Sequence, residues 1–250
     1  MAVKAYWLGL KFMFSYFTIL PVRFAPNDNL NTPAILASML LFLPLGGLVT
    51  GGMALLLYQL FVPLEWVAGV VAGLGYMMLY GFLHTEAIMD VADALYAKHA
   101  GKDAFSVIKE STVGAMGVLW AVSLLILKLS LIVLLLGYEA YSLFLATLIV
   151  SRLGLLVLFA TQTFRSSFIR SMQKGFTTNY LLASFVLFGG IGLVVAQWHF
   201  VVLLLTGVPL SYLVATTLGK KLGFINGDVL GTTLEVTEIL LFTTGAMLWL

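Results

Sequence analysis

Apolar runs of about 20 residues recur from one end of this 250-residue chain to the other, each long enough to cross ~30 Å of hydrocarbon. Only 10% of residues are charged, far from the roughly one quarter of soluble domains. The expected fold is therefore all-α: a polytopic integral membrane helical bundle in the lipid bilayer. Seven transmembrane helices are drawn at about 34–61, 66–84, 112–136, 141–161, 178–197, 199–218 and 231–250. Residues 1–33 form an N-terminal interfacial segment with its own helix, residues 34–250 the transmembrane bundle, and residues 1–250 one membrane domain. Pro44 and Pro209 fall inside spans and predict kinks that neighbouring helices accommodate.

The loops alternate in charge. One set carries Lys98, Lys102, Lys109, Arg165, Arg170, Lys174, Lys220 and Lys221, and the other is very short, with Glu65 and Glu139 and no Lys or Arg. The positive-inside rule makes the first set cytoplasmic and the C-terminus external, and it brings Trp66, Trp198 and Trp249 to outer helix ends as an aromatic belt. The N-terminus lacks the layout of a signal peptide and is expected to be retained. Lys128 and Arg152 break the pattern, because they lie within spans. A net charge of +2 with no basic stripe gives no reason to expect nucleic acid. The absence of cysteine excludes disulfides and thiolate metal sites, so any metal must be hard and oxygen-ligated.

Six of the eleven acidic residues gather in two clusters: Glu86, Asp90 and Asp93, then Asp228, Glu235 and Glu238. The first three are spaced i, i+4, i+7, which at about 100° per residue holds them on one helix face. Three like charges so placed destabilise a helix unless a cation joins them, and Mg²⁺ prefers such oxygens. In the second cluster Asn226, Gly227, Asp228 and Gly231 read as a turn, with Glu235 and Glu238 entering the last span. Both clusters reach the cytoplasmic boundary, where the six residues could share one metal site. The competing reading pairs them with Lys98, Lys102, Lys109 and Lys220 as a solvated interfacial face. A membrane transporter of a cation or metabolite would use the same acids at mid-span within repeated halves, and no convincing repeat is found.

At these residues the chain resembles the cobalamin synthase family, the adenosylcobinamide-GDP ribazoletransferases. The carrying stretches are GFLHTEAIMDVADAL, KESTVGAMGV and NGDVLGTTLEVTE, with LPVRF before the first full span. Glu86 stands where the family usually has Asp, Ala87 and Ala94 where it has Gly, and Glu110 and Thr112 where it has Asp and Arg. The resemblance implies an Mg²⁺-dependent phosphotransferase of a bacterial or archaeal cytoplasmic membrane. Its substrates would be adenosylcobinamide-GDP and α-ribazole or its 5′-phosphate, joined with release of GMP. A CDP-alcohol-type phosphotransferase uses similar helix-borne acids, so the bond is better fixed than the substrate. Whether the chain forms a homo-oligomer is left open.

Within that reading Asp93, nearest the cytoplasm in its triad, is the first candidate to accept the attacking hydroxyl's proton. His84 is the second candidate, having a suitable ordinary pKa. Lys109, Ser111 and Gly114 belong to a loop whose backbone N–H groups can hold phosphate at the start of a helix. Arg152 must face the bundle interior or water and serves either phosphate and corrin amides or a buried carbonyl. For Lys128 snorkelling or a structural pair is the leading reading, and positive-inside topology already accounts for Arg165, Arg170 and Lys174.

Overall fold

The computed structural model describes residues 2–110 and 112–250. These form eleven α-helices and no strand: α1 (Ala2–Phe17), α2 (Pro33–Leu41), α3 (Leu43–Phe61), α4 (Trp66–Leu79), α5 (Leu83–His99), α6 (Ala104–Val107), α7 (Ala115–Gly137), α8 (Tyr141–Thr161), α9 (Ser167–Gly175), α10 (Thr178–Leu222) and α11 (Gly227–Trp249). By length and composition four of them can each cross a membrane, namely α3 with the 3₁₀ turn after it, α7, α8 and α10. The pair α4–α5, bent by 78°, makes a fifth crossing when taken as one.

Helices lie at all seven drawn positions, with two adjustments. α10 is 45 residues long, which would reach about 68 Å, more than twice the hydrocarbon thickness. Gln197, at φ 50° and ψ −131°, breaks it into two halves, and Phe200 folds back onto Gly192 across the break. The drawn boundary between residues 197 and 199 falls on this turn. The first span is divided at Phe42, just before Pro44, into α2 and α3. α11 is as long as α7 but carries Glu235 and Glu238 inside it, so composition alone does not pick it out.

α8 stands at the centre of the bundle, buried along most of its length. Around it the helices approach closely at small residues: Gly51 at Leu148, Gly154 at Ser211, and Gly73 of α4 at Leu129 of α7. α1 rises about 24 Å, too short to cross, and it lies on α2, where Gly9 meets Ser38 and buries Met13 and Leu8. Three turns at one end, through Glu65, Glu139 and Gln197, each reverse the chain with a residue at positive φ. Such a backbone is uncommon outside glycine, and it keeps these loops very short. The other end holds everything longer: the α4–α5 bend, α6, α9 and the turn before α11. There Ile19 N donates to Leu79 O (2.8 Å) and Arg165 N to Ile225 O (2.8 Å), tying the chain after α1 and the loop before α9 to the mouth of the bundle. α5 beyond His84 and the first turn of α11 stand at this basic end, outside the apolar spans.

Candidate active site

Two helices carry the acidic residues, and small side chains bring them together. A Cβ on Gly231 of α11 would lie 2.7 Å from that of Ala87 on α5, so only glycine allows this approach. Thr232 Oγ1 then donates to Ala87 O at 2.9 Å, fixing the register of α11 on α5. Asn226 caps α11, its Oδ1 accepting from Val229 N (3.1 Å), while its Nδ2 donates to Asp228 Oδ2 (2.7 Å) and orients that carboxylate.

The six acids do not meet at one point. Glu86, exposed, and Asp90 and Asp228, half-buried, stand at the basic end. None of the three has a Lys or Arg partner among the described residues. The expected alternative, an interfacial face neutralised by Lys98, Lys102, Lys109 and Lys220, is therefore absent from these residues. Lys98 instead donates to Lys221 O (2.7 Å) and Lys109 lies over the Phe105 ring (4.3 Å). Burial, then the charges of Asp228, Glu86 and Asp93, push the Asp90 carboxyl up to about 6. Burial raises the Asp228 carboxyl as well, against the hydrogen bond from Asn226.

Asp93 is engaged differently. Its two oxygens accept from Gly114 N (2.6 Å) and Gly117 N (2.7 Å), at the start of α7. A Cβ on either glycine would lie within 2.6 Å of that carboxylate, which is why both positions are glycine. The amides expected to hold phosphate thus hold a carboxylate, an anion favoured at a helix start for the same reason. Of the remaining residues expected there, Lys109 is exposed and Ser111 lies outside the described residues.

Glu235 and Glu238 lie deeper, about 10 and 15 Å along α11 from Asp228, and both are buried. Lys128 of α7 bridges them, with Nζ 2.8 Å from Glu235 and 2.6 Å from Glu238. Arg152 of α8 pairs with Glu238 on the other side and donates to Tyr76 Oη at 3.0 Å. Tyr80 Oη donates to Glu235 (2.8 Å) and Ser151 Oγ to Glu238 (3.2 Å). Two carboxylates and two cations close a neutral network in which every charged member is at most 4% exposed. Lys128 is thus paired rather than snorkelling, and Arg152 pairs with a carboxylate rather than a carbonyl alone. Tyr76, Tyr80 and Ser151 escaped the sequence reading. The available signal was that two cations and two acids lie inside drawn spans, where each must find a partner; Tyr76 and Tyr80, one turn apart, share the face that serves them.

His84 links the two regions. It is 8% exposed, its Nδ1 lies 4.0 Å from Glu235 Oε1, and that nitrogen has no hydrogen-bond partner among the described residues.

Hard oxygen donors suit a divalent ion at Glu86, Asp90 and Asp228, and the lack of basic partners there leaves their charge to be met by one. Among the described residues no three acids or histidines are close enough to close such a site as they stand. Glu235 and Glu238 are the poorer candidates, since Lys128 and Arg152 already neutralise them.

Comparison with known proteins gives the family. The cobalamin-5-phosphate synthase family model matches residues 9–246. The adenosylcobinamide-GDP ribazoletransferase of Acinetobacter baumannii is 31% identical over 95% of each chain. The enzyme of that name from Brevibacillus brevis is 29% identical over 83% of this chain and 87% of its own, and that from Chlorobaculum tepidum 28% over 86% and 87%. No solved structure matches the chain.

Proposed function

The chain belongs to the cobalamin-5-phosphate synthase family, and we propose that it acts as an Mg²⁺-dependent adenosylcobinamide-GDP ribazoletransferase of the cytoplasmic membrane. A ribose hydroxyl of α-ribazole or its 5′-phosphate attacks the phosphorus bonded to the cobinamide. One P–O bond forms, the bond to the GMP oxygen breaks, and the hydroxyl proton passes to a base. The observation that carries this reading is the set of three carboxylates, Glu86, Asp90 and Asp228, held without basic partners among the described residues at the one end of the bundle where the loops are long.

Mg²⁺, when bound by Glu86, Asp90 and Asp228, would neutralise charge on the diphosphate. The chain's own residues do the rest. Thr232, Gly231 and Asn226 fix Asp228 against α5. Asp93 or His84 takes the hydroxyl proton: Asp93 lies on the same helix as the other acids, though its oxygens are also spent on α7, and His84 keeps a ring nitrogen free. The basic loops would face the cytoplasm, where soluble substrates arrive, and the C-terminus the outside. The test is direct: full-length protein in lipid nanodiscs, given adenosylcobinamide-GDP, α-ribazole 5′-phosphate and Mg²⁺, should form the joined corrinoid and GMP in equal amounts. No GMP under these conditions refutes the assignment.

A further inference from the structure

Between the neutral ion network and Asp228 the bundle encloses a cavity of about 140 Å³. Exposure along its wall falls from 41% at Tyr16 to 2% at Thr50, so it opens beside Asp228 and runs inward to Arg152. Leu155 and Leu234 make much of the wall apolar, and among its polar residues His84 has a ring nitrogen with no partner among the described residues. Gly47 lets the Arg152 side chain lie flat against the inner end, since a Cβ there would sit 2.7 Å from the Arg152 Nε.

Size narrows the occupant. An apolar cavity of ~150 Å³ takes up one benzene ring, so this one holds about one six-membered ring, leaves the rest of a fused ring system at its open mouth, and excludes a corrin macrocycle. Polarity narrows it further: an acyl chain would leave the His84 nitrogen unsatisfied, at the usual cost of a buried polar group. A heterocycle with a methylated apolar edge and one free ring nitrogen meets both conditions. α-Ribazole is the riboside of such a base, a dimethylbenzimidazole.

We infer that this cavity receives the dimethylated six-membered ring of the nucleophile's benzimidazole, with Leu155 and Leu234 against it, His84 hydrogen-bonded to the free nitrogen of the fused imidazole, and the ribose left at the mouth beside Asp228. This assignment rests on the proposed transferase reaction; with the His84 nitrogen engaged by the base it leaves the hydroxyl proton to Asp93, and it explains how the hydroxyl would be brought to the carboxylates while the corrinoid stays outside.

Free 5,6-dimethylbenzimidazole should inhibit the full-length protein in nanodiscs competitively against α-ribazole 5′-phosphate, without changing KM for adenosylcobinamide-GDP. Leu155→Trp, which fills the cavity, should raise KM for α-ribazole 5′-phosphate at least about tenfold, within the range that pocket-shape changes give, again with KM for the corrinoid unchanged. Turnover without competition by the free base would overturn the inference while leaving the transferase reading intact, and this arm needs no variant to fold. Should the protein show no turnover at all, the transferase reading falls. Equilibrium binding of radiolabelled dimethylbenzimidazole then decides the cavity: binding that Leu155→Trp abolishes upholds it, and no binding, or binding lost when lipid is added, overturns it.

Discussion

Asp228 and Glu238 lie on one helix, ten residues apart, and are held in opposite ways. Asp228 has one amide beside it and no cation among the described residues, whereas Glu238 is enclosed by Lys128, Arg152, Tyr76 and Ser151. Depth separates them. At the basic end water can solvate a carboxylate until a ligand arrives; inside the bundle an unpaired charge costs several kcal/mol, so charge is tolerated only when balanced. A single acidic stretch of sequence therefore serves two purposes, an open site at the boundary and a closed clamp joining α7, α8 and α11.

The sharpest way to break this comparison is to remove one member of the clamp. Lys128→Met or Arg152→Met strands a buried carboxylate and should cost about 3–5 kcal/mol, read as a large drop in thermal unfolding temperature in detergent. The double variant Lys128→Met/Glu235→Gln, which restores neutrality, should recover much of it. Single variants as stable as the parent would show that the clamp is not closed in the membrane.

Removing a boundary acid should do the reverse. Asp90→Asn or Asp228→Asn should lower Mg²⁺-dependent turnover on the order of 10²-fold or more and leave the unfolding temperature unchanged or raised, because like charges are relieved. Near-normal turnover in both would end the metal assignment for these residues. Glu238→Gln sharpens the contrast, since a clamp residue loses stability first and a ligand loses metal affinity first.

What the sequence discloses, and what it hides, follows the same division. Apolar runs mark the spans because lipid imposes one requirement on every residue of a run, and even the break at Gln197 lies where two runs were drawn apart. The clustering of Glu86, Asp90 and Asp93 is visible because helical spacing is local, whereas Asp228, 138 residues from Asp90, is brought to them by the packing of α11 on α5. The partners of Glu235 and Glu238 are not, since Lys128 is 107 residues from Glu235 and Arg152 is 86 from Glu238. Without that packing, all six acids read alike as metal ligands. Gly114 is ambiguous for a related reason: a glycine at a helix start is the same letter whether phosphate or Asp93 fills the space beside it.

Asp93 shares a helix with the open site yet is held as firmly as a clamp residue, and it gives the next test. Its carboxylate accepts two backbone N–H bonds at the start of α7, and bonds to a charged group contribute about 1.5–3 kcal/mol. If anchoring is its main work, Asp93→Asn should lower the unfolding temperature by an amount matching that range, with kcat falling in proportion to the protein left folded. If it is the base, kcat should drop on the order of 10²-fold at unchanged stability, and His84→Ala should leave the acid limb of the pH profile in place.

The smallest effect comes from changes that disturb neither region and only ask which way the open one faces. The chain has no cysteine, so single cysteines report without background. Lys102, Lys174 and Lys220 lie at the basic end, while Tyr138, 64% exposed, lies beside the Glu139 turn at the other. Tyr138 serves better than Glu139, whose φ of 58° strains any side chain placed there. All four cysteine variants should keep parental turnover and unfolding temperature, since exposed positions away from packing contribute within about 0.5 kcal/mol. In intact cells a membrane-impermeant maleimide should label the Tyr138 variant and leave the other three unlabelled until the membrane is opened. The reverse pattern would place Glu86, Asp90 and Asp228 on the external side, away from cytoplasmic nucleotide substrates, and the clamp would then remain while the open site lost its proposed purpose.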